Sequence, residues 1–128
     1  IQHPLPTALR CWKLGQAIRK AVESYPKDTK VVILGTGGMS HQLNGARFGY
    51  LNSDFDQDFL DKIETDPMAL TRLTHQQIME NAGAEAVELI MWLTMRGALD
   101  GNPVRQVHRN YYAPMTTGMG LIALEQTI

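Results

Sequence analysis

Four aliphatic residues in a row, Val31-Val32-Ile33-Leu34, run directly into Gly35-Thr36-Gly37-Gly38-Met39-Ser40-His41. An unbroken apolar run of this length fits a strand covered on both faces, where alternation between core and solvent is lost. Such strands belong to sheets with helices on either side, and the sequence upstream supplies a helix. Thr7 can cap it, and Cys11, Leu14, Ile18, Ala21 and Val22 recur at helical spacing up to about Ser24. Pro26-Lys27-Asp28 then turns the chain. A helix followed by a doubly buried strand is the unit of an α/β fold.

The remainder reads in the same terms. Phe55, Phe59, Leu60 and Ile63 form one apolar stripe, and the segment Asp54 to Leu73 reads as two short helices, the second opened by Asp66-Pro67. Thr74 with Gln77 spells a capping box for another helix. Gly83 precedes a long helical pattern, Ala84–Leu99, and Gly101-Asn102-Pro103 is a turn. Val104–Tyr112 and Gly120–Leu124 are the remaining strands, with Pro114 and Gly118 marking the loop between them.

Composition narrows the function classes. The 128 residues carry 12 Lys and Arg against 13 Asp and Glu, a net charge of −1, which speaks against nucleic-acid binding through a basic face. A chain of this size buries about 65–70% of the surface its unfolded form exposes, enough for a core without staples. The lone cysteine, Cys11, excludes an intrachain disulfide, fits a reducing cytoplasm and falls on the apolar stripe of its helix. No run reaches the roughly 18 apolar residues of a membrane span. The N-terminus carries no initiator Met and no signal-peptide pattern, and so points to a chain that begins inside a longer protein.

Two residues stand out for chemistry. The glycine turn lacks the third glycine of a dinucleotide site, where Ser40 stands, and lacks the Lys of a P-loop, so phosphate binding is rejected. His41 arrives at the carboxyl end of the expected strand, where α/β ligand sites lie. It reads equally as a general acid/base near neutral pH and as a loop histidine bonded to backbone. Glu88 is a carboxylate in an apolar context, Ala86-Val87-Glu88-Leu89-Ile90-Met91-Trp92. It must be paired, with Arg96 or Arg47 as candidates, or protonated, metal-bound, or on an exposed face. Thr116 and Thr117 offer adjacent hydroxyls for a small acid, or satisfy their own loop. His3, His75 and His108 form no recognisable metal spacing.

Gly35-Thr36-Gly37-Gly38-Met39-Ser40-His41-Gln42-Leu43, Glu85 to Trp92 and Met95-Arg96-Gly97-Ala98-Leu99 resemble the class III extradiol ring-cleaving dioxygenases, the family of protocatechuate 4,5-dioxygenase beta subunits and gallate dioxygenases. The likeness extends through Arg10-Cys11, Ala21-Val22-Glu23-Ser24 and Asp66-Pro67. It implies an α/β fold in which this chain is part of a central mixed sheet flanked by helices, the C-terminal portion of a catalytic domain over residues 1–128. It implies non-haem Fe(II) held by two histidines and a glutamate, with Glu88 as the glutamate and His41 as a catalytic histidine outside the ligand set. Thr116, and beside it Thr117, would meet the carboxylate of a small aromatic acid that reacts with dioxygen. Both ligand histidines belong to an N-terminal half that this chain lacks, so the piece alone should be inactive. A small helical alpha subunit or a C-terminal helical domain, and an oligomer, are the implied partners. The competing class is a small-acid or partner-binding module of the same fold without iron.

Overall fold

The computed structural model describes residues 1–127. Helix α1, Ala8–Glu23, starts where Thr7 Oγ1 accepts from Arg10 N at 3.1 Å, as the cap predicts. Helix α2, Ser53–Thr65, is capped by Asn52, and α3, Pro67–Thr71, by Asp66 with Pro67 in its first turn. Helix α4, His75–Ala82, carries the reciprocal Thr74/Gln77 capping box. The expected long helix over Ala84–Leu99 is instead two pieces: a tight 3₁₀ stretch, Ala84–Leu89, followed by α5, Ile90–Gly97. Strands β1, Val104–Tyr112, and β2, Met119–Gln126, pair antiparallel from Val104↔Gln126 to Tyr112↔Met119, with one irregularity between Gln106 and His108.

The fold is therefore α/β, with helices gathered against a β hairpin. Phe59, Leu60 and Ile63 of α2 share one buried cluster with Ile90, Trp92 and Leu93 of α5 and with Met39 and Leu89, and Tyr111 and Ile122 of the hairpin pack onto this core. Each fully buried side chain of this size contributes about 1.5–3 kcal/mol. Helices α1 and α5 approach backbone to backbone at Gly15 and Gly97. A Cβ on Gly15 would overlap the Thr94 carbonyl, and one on Gly97 the Trp12 carbonyl. Arg96 is buried beside this crossing, its Nε donating to Ile63 O at 2.8 Å.

One expectation fails. Val31-Val32-Ile33-Leu34 is not a paired strand: among the described residues no backbone group of Lys30–Gly37 bonds to another backbone group. Val32 is 72% and Leu34 81% exposed. The segment is extended but stands apart from β2, and a groove of about 760 Å³ lies between them, floored by Trp92, Met95 and Leu99. Burial on both faces needs neighbours on both sides, and the described residues supply none.

Candidate functional site

The glycine turn is held in place by the hairpin loop on one side and by the end of α4 on the other. Met39 N donates to Gly118 O at 2.9 Å, Gly118 N to Ser40 O at 2.8 Å, and His41 N to Ala82 O at 2.8 Å. Behind it lies the 3₁₀ stretch. Gly38 N donates to Glu88 Oε1 at 2.7 Å, and Trp92 Nε1 to Gly37 O at 3.1 Å. Gly37 has φ +145, and a Cβ there would press on the Glu88 side chain, so the close approach requires glycine.

His41 is 6% exposed. Its Nδ1 lies 2.7 Å from Met39 O. A carbonyl can only accept, so Nδ1 carries a proton and, in the neutral ring, Nε2 is the open position. Nε2 is 3.5 Å from Glu88 Oε1, too far for a strong hydrogen bond. The Glu88 side chain is 37% exposed, so it reaches the surface despite its apolar sequence neighbours. Neither expected arginine pairs with it. Arg96 serves Ile63 O, while Arg47 donates to the Met79 and Glu80 carbonyls and stacks on Tyr50.

Thr117 joins this pair. It bridges to His41, and a Cβ on Gly38 would meet both the Thr117 methyl at 3.0 Å and the imidazole at 3.1 Å. Thr116 sets its methyl toward Gly49. The remaining histidines stay apart: His75 Nε2 donates to Pro6 O at 2.7 Å, and His3 and His108 are exposed. Cys11 is buried, and burial pushes its thiol above the ordinary range.

Sequence reasoning overlooked a second carboxylate. Asp56 is fully buried and accepts from Ser40 N at 2.8 Å, Ser40 Oγ at 2.6 Å and Tyr111 OH at 2.6 Å. Burial first, then the bond to Asp56 and its charge, raise the Tyr111 phenol well above its usual range. The signal was present: Asp56 stands on the same wheel stripe as Phe59, Leu60 and Ile63, the kind of anomaly that singled out Glu88.

As a metal ligand, Glu88 fits in part. Its Oε2 has no hydrogen-bond partner among the described residues, and the side chain is partly exposed. Among those residues, however, no three His, Cys, Asp or Glu side chains converge on one point. Glu88 can give one ligand; it cannot complete a centre with its present neighbours.

Residues 1–122 match the family described as the catalytic LigB subunit of aromatic ring-opening dioxygenase. The chain belongs to this family. The gallate dioxygenase of Pseudomonas putida is 49% identical to it over 125 residues, which is 98% of this chain and 36% of that relative. This LigB-family chain thus spans about a third of the relative's length. Membership bears out the resemblance drawn from the glycine turn and the Glu88 segment. No helix among the described residues is long and apolar enough to cross a membrane.

Proposed function

We propose that this LigB-family chain is the C-terminal portion of the catalytic domain of a cytoplasmic, Fe(II)-dependent extradiol dioxygenase that opens the ring of a catecholic acid beside its diol. Gallate is the first candidate substrate and protocatechuate the second. The carrying observation is the meeting of His41 Nε2 and Glu88 Oε1 at 3.5 Å, with the Glu88 carboxylate partly exposed. Kinship with a gallate dioxygenase supports the substrate. Glu88 would hold the iron together with two histidines from a part of the protein outside these 128 residues. The metal, when bound, orients the diol and activates dioxygen.

The chain's own residues do the proton work. His41 keeps Nδ1–H on Met39 O, so Nε2 takes a proton from a substrate hydroxyl and returns it as the ring opens. Its low exposure limits exchange of that proton with bulk water. Thr117, beside the imidazole, and Thr116 supply hydroxyls for the substrate carboxylate. A helical subunit or C-terminal domain, and assembly into an oligomer, complete the proposed enzyme. The second reading, a small-acid or partner-binding module without iron, draws on the absence of companion ligands around Glu88 among the described residues.

Elemental analysis and turnover of the full-length protein on gallate and protocatechuate test both readings. Glu88→Ala should lose iron and activity together. His41→Ala should keep its iron and lose about 10²–10⁴-fold in kcat. Iron loss in the His41 variant, or full iron in an inactive Glu88 variant, reverses the two roles. A full-length protein that holds no iron and turns over neither acid supports the binding-module reading.

A further inference from the structure

The buried Asp56 invites the question of why a carboxylate lies there at all. An apolar side chain would suit the stripe of α2, and a buried charge is tolerated only when fully bonded. All of its bonds go to two residues, Ser40 and Tyr111. The most telling one is from Ser40 N to Oδ1 at 2.8 Å. That N–H belongs to the Met39–Ser40 peptide group, whose carbonyl accepts the His41 Nδ1 proton at 2.7 Å. A peptide group is planar, so fixing its N–H fixes the direction of its C=O. Ser40 Oγ, held by Asp56 Oδ2 and accepting from Asn52 N at 2.9 Å, prevents the unit from rotating. A carboxylate on the N–H also makes the carbonyl a better acceptor, because bonds in series polarise one another.

We propose that Asp56 is a positioning residue for His41, acting through the single peptide group between Met39 and Ser40 to hold the imidazole as its Nδ1–H tautomer with Nε2 facing Glu88. This rests on the reading of His41 as the acid/base of the reaction. Asp56 itself is sealed in the core and touches no substrate. Tyr111 shares the carboxylate but not the peptide: its hydroxyl meets Oδ2, whereas the peptide N–H meets Oδ1.

The test uses the full-length, iron-loaded protein with gallate, and imidazole ¹⁵N spectra of the same protein, the His41 signal being the one lost in His41→Ala. Asp56→Asn keeps the shape and removes the charge. It should lower kcat about 10–100-fold, the usual effect of losing such a supporting partner, with KM within about threefold, and convert one His41 tautomer into a mixture. In the His41→Ala background the same change should lower kcat no further, since the two residues act in series. Tyr111→Phe should lower the melting temperature while leaving kcat and the tautomer unchanged.

An additive double variant, or an unchanged tautomer in Asp56→Asn, overturns the proposal and leaves Asp56 a core staple. Should Asp56→Asn not fold, the wild-type spectrum decides: a predominant Nε2–H tautomer refutes the relay outright. If His41→Ala keeps full turnover, the proposed function fails, while the tautomer comparison still judges the positioning.

Discussion

Met39-Ser40-His41 and Val31-Val32-Ile33-Leu34 lie a few residues apart in the chain, and the first is sealed where the second is bare. Met39 and Ser40 have no exposed surface, whereas Val32 and Leu34 show most of theirs to solvent. Apolarity does not explain the contrast, since the bare segment is the more apolar of the two. The sealed end has specific polar partners, namely Asp56, Gly118 and Ala82, while the bare end has only a demand for burial. Hydrogen-bonded partners fix where a segment goes; an apolar side chain fixes only that it must go somewhere dry.

The sharpest way to break this comparison is to attack the core beneath the sealed end. Phe59 is 2% exposed and packs edge-on against Trp92 at 5.9 Å, the same Trp92 that holds Gly37 O. Phe59→Ala should remove about 3–5 kcal/mol, read by urea unfolding of the 128-residue chain. A loss under about 1 kcal/mol would mean that the sealed region is not where stability resides.

Tyr111→Phe tests the polar half at smaller cost. Removing a hydrogen bond to a charged partner should take about 1.5–3 kcal/mol. It should also change the alkaline limb. Burial, then Asp56, raise the folded Tyr111 phenol, so its proton is held more tightly folded than unfolded. That contribution is complete below the unfolded value of about 10 and is lost as pH rises above it. Cys11, raised by burial, behaves alike from about pH 8.5 upward. Melting temperatures should thus begin to fall near pH 8.5 and fall faster past pH 10. The second phase should vanish in the phenylalanine variant, and its persistence there would assign it to another group.

The smallest effect belongs to the bare end. Replacing Val32 and Leu34 together by serine should change the stability of the 128-residue chain by no more than about 0.5 kcal/mol, as for other exposed positions. It should nevertheless reduce self-association in sedimentation runs, because an exposed apolar edge recruits copies. A loss of several kcal/mol would show that the segment packs as a strand within the chain after all.

What the sequence disclosed follows from the same contrast. Caps at Thr7, Asp66 and Thr74 were legible because their partners sit three residues away. The strands β1 and β2 were legible from residue type and turn signals. Helical spacing could not separate the 3₁₀ stretch Ala84–Leu89 from α5, since both bury similar positions. Gly83, with φ +100, opens the tight stretch and backs onto the His41 carbonyl, a contact between residues far apart in sequence. Val31–Leu34 announced a buried strand and could not say who would bury it. At the site, His41 and Glu88 were found by being out of place among their neighbours. Asp56 is equally out of place on the stripe of Phe59, Leu60 and Ile63, but the partners that explain it, Ser40 and Tyr111, lie far from it in sequence. That Thr117 rather than Thr116 flanks the imidazole depends on the bridge to His41, which no local pattern encodes.

The glycine-on-glycine crossing of α1 and α5 sets a dimension as well as a contact. Most packed surfaces can adjust by turning a side chain; here main chain rests on main chain, and nothing is left to turn. Trp92, one and a half turns before Gly97 on α5, reaches from that helix to the Gly37 carbonyl. The spacing of the two helices therefore sets where α5 stands, and with it the indole that holds the glycine turn beside His41. A methyl group added at position 15 or 97 would have to push α5 away, and the indole of Trp92 would move with it.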